Sequence, residues 1–246
     1  MARILISEKP IQSYEMDRYQ YYSPTRFLRL TSNEMFVALR AMGYPYPALR
    51  YRLGATWMMG GVDLRILRDV QSTGYDQPVQ LYAESLERTK TVFLARITAV
   101  LHDQPIADLT ATAMAVSMQA RHILPTGQVA EGLGAPEVPL TPAAPPRLTL
   151  PETMNHAFDL PIRSYDCDRN GHVAGYRYAD FVCEAAGYWD QGRHQKADRL
   201  RIEYSAECLP GDTLSLYTAP SPEGTFVKGV KQDGRLSFKA CLRMDS

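Results

Sequence analysis

Hydrophobic and polar positions follow two periodicities along the chain, one typical of helices and one typical of strands. From Tyr178 to Trp189 apolar side chains recur every three or four residues, which is typical of an amphipathic helix. Thr31 to Glu34 has the spacing of a capping box ahead of a second apolar stripe that begins at Met35. Alternating apolar and polar positions predict strands over residues 60–70, 77–86, 91–100, 107–120, 199–208, 212–219, 224–230 and 235–244.

The two halves of the chain repeat one another. Ile11 begins IQSYEMDR and Ile162 begins IRSYDCDR, and five of these eight positions are identical. Each half then continues in the same order, with a strand, an acidic turn, a helix and several strands. The pattern predicts a duplicated α+β fold, in which each copy is a long helix wrapped by an antiparallel sheet.

A proline-rich segment separates the two copies. Residues 124–151 contain seven prolines, so we expect a semi-extended tether that holds neither a helix nor a central strand. We therefore predict an N-terminal domain at residues 1–123, a linker at residues 124–151 and a C-terminal domain at residues 152–246.

The composition is that of an ordinary globular protein of 246 residues. Basic and acidic residues each number 27, which argues against a protein that binds nucleic acid over much of its surface. No apolar run has the length of a membrane span, and the N-terminus does not resemble a secretion signal. The four cysteines form no C-x-x-C pair, so we expect reduced thiols in a cytoplasmic protein, with no zinc site and no cofactor.

Titratable and polar side chains crowd into the acidic turn of the second copy. Asp168, Asn170 and His172 alternate by two, so in an extended segment their side chains would point the same way. Carboxylates can activate water, and amide and imidazole groups can donate to an oxyanion, so the cluster is a candidate active site. The competing interpretation is structural, with Asp168 capping the next helix and His172 buried in the core. Ligation of a metal by His172 lacks a second histidine at ligand spacing, so no metal site is predicted.

Two segments carry a resemblance to a known family. DCDRNGHVAGYRY, which begins at Asp166, resembles the D-x-D-x-N-x-H-V-N-N-x-x-Y segment of the acyl-acyl-carrier-protein thioesterases. IEYSAEC, from Ile202 to Cys208, is similar to that family's second block, (D/E)-Y-x-x-E-C. The likeness is most specific over residues 163–208. The two asparagines after His-Val are replaced by Ala174 and Gly175.

The resemblance implies two tandem hotdog domains and a set of four catalytic residues. These are Asp168, Asn170, His172 and Glu207. Their roles stay open at this stage, because either carboxylate could activate water and Asp168 could attack the thioester directly. Cys208 matches a cysteine once placed in a papain-like triad in this family, but the neighbouring carboxylate would raise its pKa, so we predict a packing role.

The first copy keeps only part of this set. Asp17 retains the aspartate, while Tyr19, Tyr21 and Gln71 are expected at the positions of the other three residues. We therefore predict a non-catalytic domain that holds the acyl chain. The candidates are Trp57, Met58 and Met59, which are bulky and adaptable apolar residues. Simple filling of the core by these three residues is the alternative.

Taken together, the resemblance implies an enzyme that hydrolyses fatty acyl-acyl-carrier-protein thioesters and so terminates chain elongation. The expected partner is acyl carrier protein, and the chain length and the choice between monomer and homodimer stay open. Two alternatives are a thioesterase for acyl or aromatic coenzyme A esters and a non-catalytic module that binds acyl chains or lipids.

Overall fold

A computed structural model describes residues 3–32, 34–71, 78–141, 147–168, 170–190, 192 and 195–244. Within these ranges the chain alternates long strands with short helices. The strands are β1 (Ile4–Pro10), β2 (Ala55–Ile66), β3 (Pro78–Arg88), β4 (Phe93–Leu101), β5 (Gln104–Ser117), β6 (Asn155–Pro161), β7 (Ala197–Tyr204), β8 (Thr213–Ser221), β9 (Gly224–Lys231) and β10 (Leu236–Met244). The helices are α1 (Pro24–Ser32), α2 (Glu34–Ala41), α3 (Tyr46–Leu53), α4 (Thr126–Leu133) and α5 (Arg177–Ala185).

All ten strands belong to one antiparallel sheet in the order β1-β3-β4-β5-β2-β7-β10-β9-β8-β6. The order is symmetric about its centre, because β1 to β5 of the first half correspond to β6 to β10 of the second. The helices α1 and α5 contact each other and pack on the central strands β2 and β7. In the described part of the chain, every helix is too short or too polar to cross a bilayer.

The two halves join along the pair formed by β2 and β7. Gly61 lies opposite Glu203, and a side chain at Gly61 would place its Cβ 2.8 Å from the carbonyl oxygen of Ile202. Only glycine allows this close approach of the two strands. Further along, Arg199 binds Asp63 through two hydrogen bonds of 2.8 and 2.6 Å. The seam therefore combines a backbone ladder with a bidentate ion pair.

The duplication is repeated in the backbone of the turns that follow β1 and β6. Each turn begins with a 3-10 helix, Ser13–Glu15 or Ser164–Asp166, and then folds back on itself. Three backbone hydrogen bonds of 2.8 to 3.0 Å occur in both turns. In the first turn the amides of Glu15, Asp17 and Tyr22 donate to the carbonyls of Gln12, Tyr21 and Val70. In the second turn the amides of Asp166, Asp168 and Val173 donate to the carbonyls of Arg163, His172 and Cys208. The two turns therefore share these three backbone hydrogen bonds.

The helical region of the first half differs from its prediction. Instead of one long helix that starts at a capping box, α1 begins at Pro24, a residue that suits a first helical position. Thr31 lies inside α1 and its hydroxyl donates to the carbonyl of Phe27 (2.8 Å), so the predicted cap at Thr31 is wrong. Side-chain bonding back to the preceding turn is common for threonine within helices.

The described parts of the proline-rich segment, residues 124–141 and 147–151, differ from the predicted tether. Helix α4 occupies Thr126–Leu133, which contradicts the prediction that this segment holds no helix. The reason is the position of the prolines, since Pro125 is the N-cap and Gly134 ends the helix in a left-handed conformation (φ +61°). Later in the segment, the carbonyl of Leu148 accepts from Lys239 (2.5 Å) and its amide donates to Glu203. These bonds fix the segment to β7 and β10.

Candidate active site

A cleft of about 290 Å³ lies where the two halves meet. Its wall combines polar groups of the second acidic turn with apolar side chains of the first half. The lining residues are Ser32, Phe36, Trp57, Met58, Met59, Met114, Asp168, Asn170, His172, Val173, Ala174, Gly175, Tyr176, Tyr178, Tyr204, Ser205, Ala206 and Glu207. All seven residues singled out from the sequence, four polar and three apolar, therefore face one cavity.

The acidic turn is a tight reversal. The amide of Asp168 donates to the carbonyl of His172 (2.9 Å), and the amide of Gly171 donates to the carbonyl of Asp168 (3.0 Å). Gly171 has φ of +82°, a conformation that glycine adopts at little cost. The expectation of an extended segment is therefore wrong. The polar side chains meet because the chain folds back, and not because they alternate along a strand.

Asp168 is held by its neighbour and stands close to the imidazole. Its Oδ1 accepts from the backbone amide of Asn170 (2.7 Å), and its Oδ2 accepts from Nδ2 of Asn170 (3.2 Å). The Nδ1 of His172 lies 4.0 Å from Oδ1 of Asp168, with 30% and 34% of the two side chains exposed. That separation is longer than a direct hydrogen bond, and Nδ1 of His172 instead lies 3.4 Å from the backbone carbonyl of Val173. Nε2, on the side of Glu207, is the nitrogen that is available to a substrate.

Glu207 approaches the same imidazole from the other side. Its Oε1 lies 4.0 Å from Nε2 of His172, and its side chain is 54% exposed. Its backbone carbonyl accepts from Nζ of Lys231 (2.9 Å), and Lys231 forms an ion pair with Asp212 (2.8 Å). The amide of Leu209 and then the Lys231 ammonium hold the pKa of Asp212 below its ordinary value. The buried lysine therefore ties down the loop that carries Glu207.

The purely structural interpretation of the turn does not fit this geometry. Helix α5 begins at Arg177, nine residues after Asp168, and none of its N-terminal amides is capped by a side chain. The carboxylate with a structural role is instead Asp166, which is buried and accepts from Arg177 at 2.6 and 3.2 Å. Asp166 anchors the helix, while Asp168 faces the cleft.

Cys208 is part of the core. Its side chain is fully buried, and its Sγ lies 3.1 Å from Oγ of Ser237, which donates to the carbonyl of Ala206 (2.8 Å). Burial raises the pKa of the Cys208 thiol. A buried thiol with a raised pKa is a poor nucleophile, so the geometry favours the packing role.

The first-half counterpart of Glu207 is Asp69, and not Gln71. Asp69 directly precedes Val70, whose carbonyl closes the first turn as the carbonyl of Cys208 closes the second. The side-chain amide of Gln71 instead donates to the hydroxyl of Tyr21 (2.7 Å). The prediction for Gln71 was wrong by two positions because the spacing between turn and strand differs in the two halves.

The apolar wall contains residues that sequence reasoning missed. Met114 lies directly across the ladder from Met58, so pairing β2 with β5 would have indicated it. Phe36 and Tyr176 enter the cleft from helix α2 and from the residue before α5, and no motif marks them. A Cβ at Gly175 would lie 3.8 Å from Sδ of Met59, so the small residues at positions 174 and 175 leave room at this wall.

Among the residues that the structure describes, no three histidine, cysteine, aspartate or glutamate side chains are grouped as ligands. Of the histidines that the structure describes, only His172 lines the cleft, and it stands between two carboxylates at 4.0 Å. The polar groups of the cleft are suited to acid–base chemistry on a substrate that sits beside them.

Comparison with known proteins places the chain in context. Residues 151–245 match the family model of the acyl-ACP thioesterase C-terminal domain. No curated protein sequence matches the chain. Similar solved structures include an acyl-ACP thioesterase from Bacteroides thetaiotaomicron (TM-score 0.80, 14% identity, covering 97% of this chain and 96% of that one) and a 12:0-ACP thioesterase from Umbellularia californica (TM-score 0.74, 14% identity, covering 99% and 96%). The predicted fold, α+β with two tandem hotdog domains, is confirmed, and the family model supports the resemblance over residues 151–245.

Proposed function

We propose that this chain, whose residues 151–245 match the acyl-ACP thioesterase C-terminal domain, hydrolyses fatty acyl thioesters carried by acyl carrier protein. The observation that supports this proposal is the placement of His172 between Asp168 and Glu207, 4.0 Å from each, on the wall of a cleft whose other side is apolar. The apolar side would take the acyl chain, and the polar side would take the thioester.

In this mechanism Glu207 is the general base. It is the more exposed of the two carboxylates, whereas both oxygens of Asp168 already accept hydrogen bonds from Asn170. Glu207 takes a proton from the attacking water as the new C–O bond forms, and returns a proton to the sulfur as the C–S bond breaks. The products are a free fatty acid and the thiol of the carrier.

The other three residues position and stabilise. The Nδ2 group of Asn170 has two hydrogens, of which Asp168 accepts one, so the second is available to the developing oxyanion. His172 orients the thioester between the carboxylates, and Asp168 holds Asn170 through two hydrogen bonds. We assign catalysis to the C-terminal domain at residues 152–246 and binding of the acyl chain to Trp57, Met58 and Met59 of the N-terminal domain at residues 1–123. We also expect the enzyme to act in the cytoplasm, where acyl carrier protein is its partner.

A hydrolysis panel tests the proposal. Purified protein is mixed with acyl chains of increasing length on acyl carrier protein and on coenzyme A, and free thiol is measured. We expect turnover with carrier-bound chains that His172→Ala abolishes. Faster turnover on coenzyme A would identify the alternative thioesterase, and saturable binding of acyl chains without hydrolysis on either carrier would identify a binding module.

A further inference from the structure

A cluster of buried polar side chains lies directly behind the segment that carries Glu207. Ser237, on β10, is fully buried, and its hydroxyl donates to the carbonyl of Ala206 (2.8 Å). The Sγ of Cys208 lies 3.1 Å from the Ser237 oxygen, and the hydroxyl of Tyr178 lies 3.4 Å from it. A serine hydroxyl has one hydrogen to donate and two sites that accept, so these three contacts use its whole capacity.

Ser237 and Lys231 fix the two peptide groups on either side of the Glu207 Cα. The carbonyl of Ala206 belongs to the peptide that precedes Glu207, and it accepts from Ser237. The carbonyl of Glu207 belongs to the peptide that follows, and it accepts from Lys231 (2.9 Å). Residues 205–209 form neither helix nor strand. Two side chains of the β9–β10 hairpin therefore set the direction in which the Glu207 side chain leaves the backbone.

The first half contains the same backbone contact with a different side chain. Two successive amides, those of residues 67 and 68, donate to the carbonyl of Ile106 at 2.9 and 3.3 Å. In the second half the amides of residues 205 and 206 donate to the carbonyl of Ser237 at 2.8 and 3.1 Å. Because Asp69 is the counterpart of Glu207, Ile106 is the counterpart of Ser237. The position is polar only in the half that carries His172.

The neighbouring polar groups are exchanged in the same way. By turn and strand register, the first-half counterparts are Phe27 for Tyr178, Val70 for Cys208, Leu101 for Lys231 and Ile106 for Ser237. All four are buried and apolar. The same backbone thus folds without a single one of these polar groups, and apolar replacement of a buried hydrogen-bonded pair is often neutral or stabilising. Folding alone does not explain why the second half has them.

We propose that Ser237 is a positioning residue, whose hydroxyl holds the backbone of Glu207 so that the carboxylate stands beside His172. This inference rests on the proposed function and deepens its account of the general base. Tyr178 lines the cleft and contacts the Ser237 hydroxyl, so the cluster connects the cleft wall with the Glu207 segment. Because Ser237 acts through Glu207 and does not line the cleft, its loss should lower kcat and leave KM unchanged.

The first test removes the hydroxyl and then restores it. Ser237→Ala should lower kcat about tenfold with KM within about twofold of the wild type, and Ser237→Thr, which keeps a hydroxyl, should recover most of the loss. The control is Thr126→Val, because the buried Thr126 hydroxyl also donates to a backbone carbonyl, that of Thr89, away from the cleft. Its kcat should equal that of the wild type. Thermal melting checks that each variant is folded.

A double-mutant cycle distinguishes positioning from a general loss of structure. Glu207→Gln lacks the carboxylate, so adding Ser237→Ala to it should change the residual turnover by less than about twofold. Equal losses from Ser237→Ala with and without the carboxylate would overturn the inference. An unchanged kcat in folded Ser237→Ala would also overturn it, and so would failure of this variant to fold.

Amide hydrogen exchange separates this inference from the proposed function, because it needs no turnover. In Ser237→Ala the amides of Ser205 and Ala206 should exchange about tenfold faster than in the wild type, while Thr126→Val leaves them unchanged. Unchanged exchange in Ser237→Ala would show that the hydroxyl does not hold the segment, and the inference would be wrong. Faster exchange in a protein that hydrolyses thioesters on neither carrier would overturn the proposed function alone.

Discussion

After β6, the acidic turn presents His172 between two carboxylates, whereas the equivalent turn after β1 presents Tyr21, whose hydroxyl accepts from Gln71 (2.7 Å). In both turns an aspartate accepts from a backbone amide two residues later, at 2.8 Å for Asp17 and 2.7 Å for Asp168. The comparison shows that this aspartate shapes the turn wherever it occurs. Its presence alone does not mark an active site.

The surroundings of the two turns differ as well. The second turn borders the cleft, while the first has a buried aromatic residue, Tyr188, close to its carboxylates. Burial first, and then the nearby Cys183, Asp17 and Asp69, raise the pKa of Tyr188. The first turn thus has a buried structural neighbour from the other half beside it, whereas the second faces space that a substrate can enter.

The largest expected effect comes from removing the acid–base groups of the second turn. Asp168→Asn and His172→Ala should each lower turnover by about two to four orders of magnitude, the range seen for acid–base and oxyanion groups. Turnover is measured on an acyl-acyl-carrier-protein substrate, and folding is checked by thermal melting.

The matched control for this prediction is Asp17→Asn in the first turn. An asparagine keeps an oxygen that can accept from the amides of Tyr19 and Tyr21, as Asp17 does now. Turnover of this variant should stay within about twofold of the wild type. If Asp17→Asn were as inactive as Asp168→Asn, the difference between the two turns would not be catalytic.

A smaller effect is expected from the lysine behind Glu207. Lys231→Met removes the hydrogen bond to the carbonyl of Glu207 and leaves Asp212 without its ion pair. Displacement of the loop should lower turnover about tenfold, and the loss of the buried pair should lower the melting temperature by several degrees. Lys228→Met on the same strand is the control, because Lys228 stacks over Tyr217 and does not contact the loop. Equal losses in both variants would contradict the anchoring role.

The apolar wall should set the preferred chain length. Replacing Trp57, Met58 or Met59 by alanine opens the end of the cleft, and each extra buried methylene is worth about 0.8 kcal/mol. We expect preference to move toward longer chains by several-fold for each two-carbon step. The measurement is the product profile of each variant, with Met118→Ala, an exposed residue outside the cleft, as control. An unchanged profile in all three folded variants would make these residues ordinary core.

The smallest effect is expected at Cys208. Cys208→Ala should retain most activity, because the thiol is buried and contacts Ser237 instead of the substrate cleft. Since its pKa is raised, little thiolate forms at neutral pH, and alkylating reagents should inhibit weakly. Loss of turnover in a folded Cys208→Ala protein, while Glu207→Ala stays active, would instead restore the cysteine nucleophile.

The sequence predicted the features that depend on local pattern. The duplicated strands, the positions of the acidic turns and the apolar stripe of α5 follow from periodicity and repetition. Helix α5 nevertheless ends at Ala185, whereas the predicted stripe continued to Trp189. Trp57, which was predicted to hold the acyl chain, lines the same cleft as His172. Repetition succeeds here because the two copies share their order of strands.

Features that depend on spacing or on tertiary contact were not predictable in this way. Asp69 was missed because equivalent residues of the two copies are not a constant number of residues apart. They are 151 residues apart at the turns, but Val70 and Cys208, whose carbonyls close the two turns in the same way, are closer together in the sequence. Helix α4 was missed because a count of prolines ignores their position at its cap. The closeness of Tyr188 to the first turn arises only when the halves pack together.

The seam between β2 and β7 has a consequence for how such a protein can change over time. In a dimer of identical subunits, every substitution appears in both sites, so a tyrosine at the position of His172 would remove both imidazoles at once. Here the two copies are encoded separately and joined through Gly61, Asp63 and Arg199. One copy is therefore free to exchange its imidazole for Tyr21 while the other keeps His172. A dimer of identical subunits cannot acquire asymmetry of this kind.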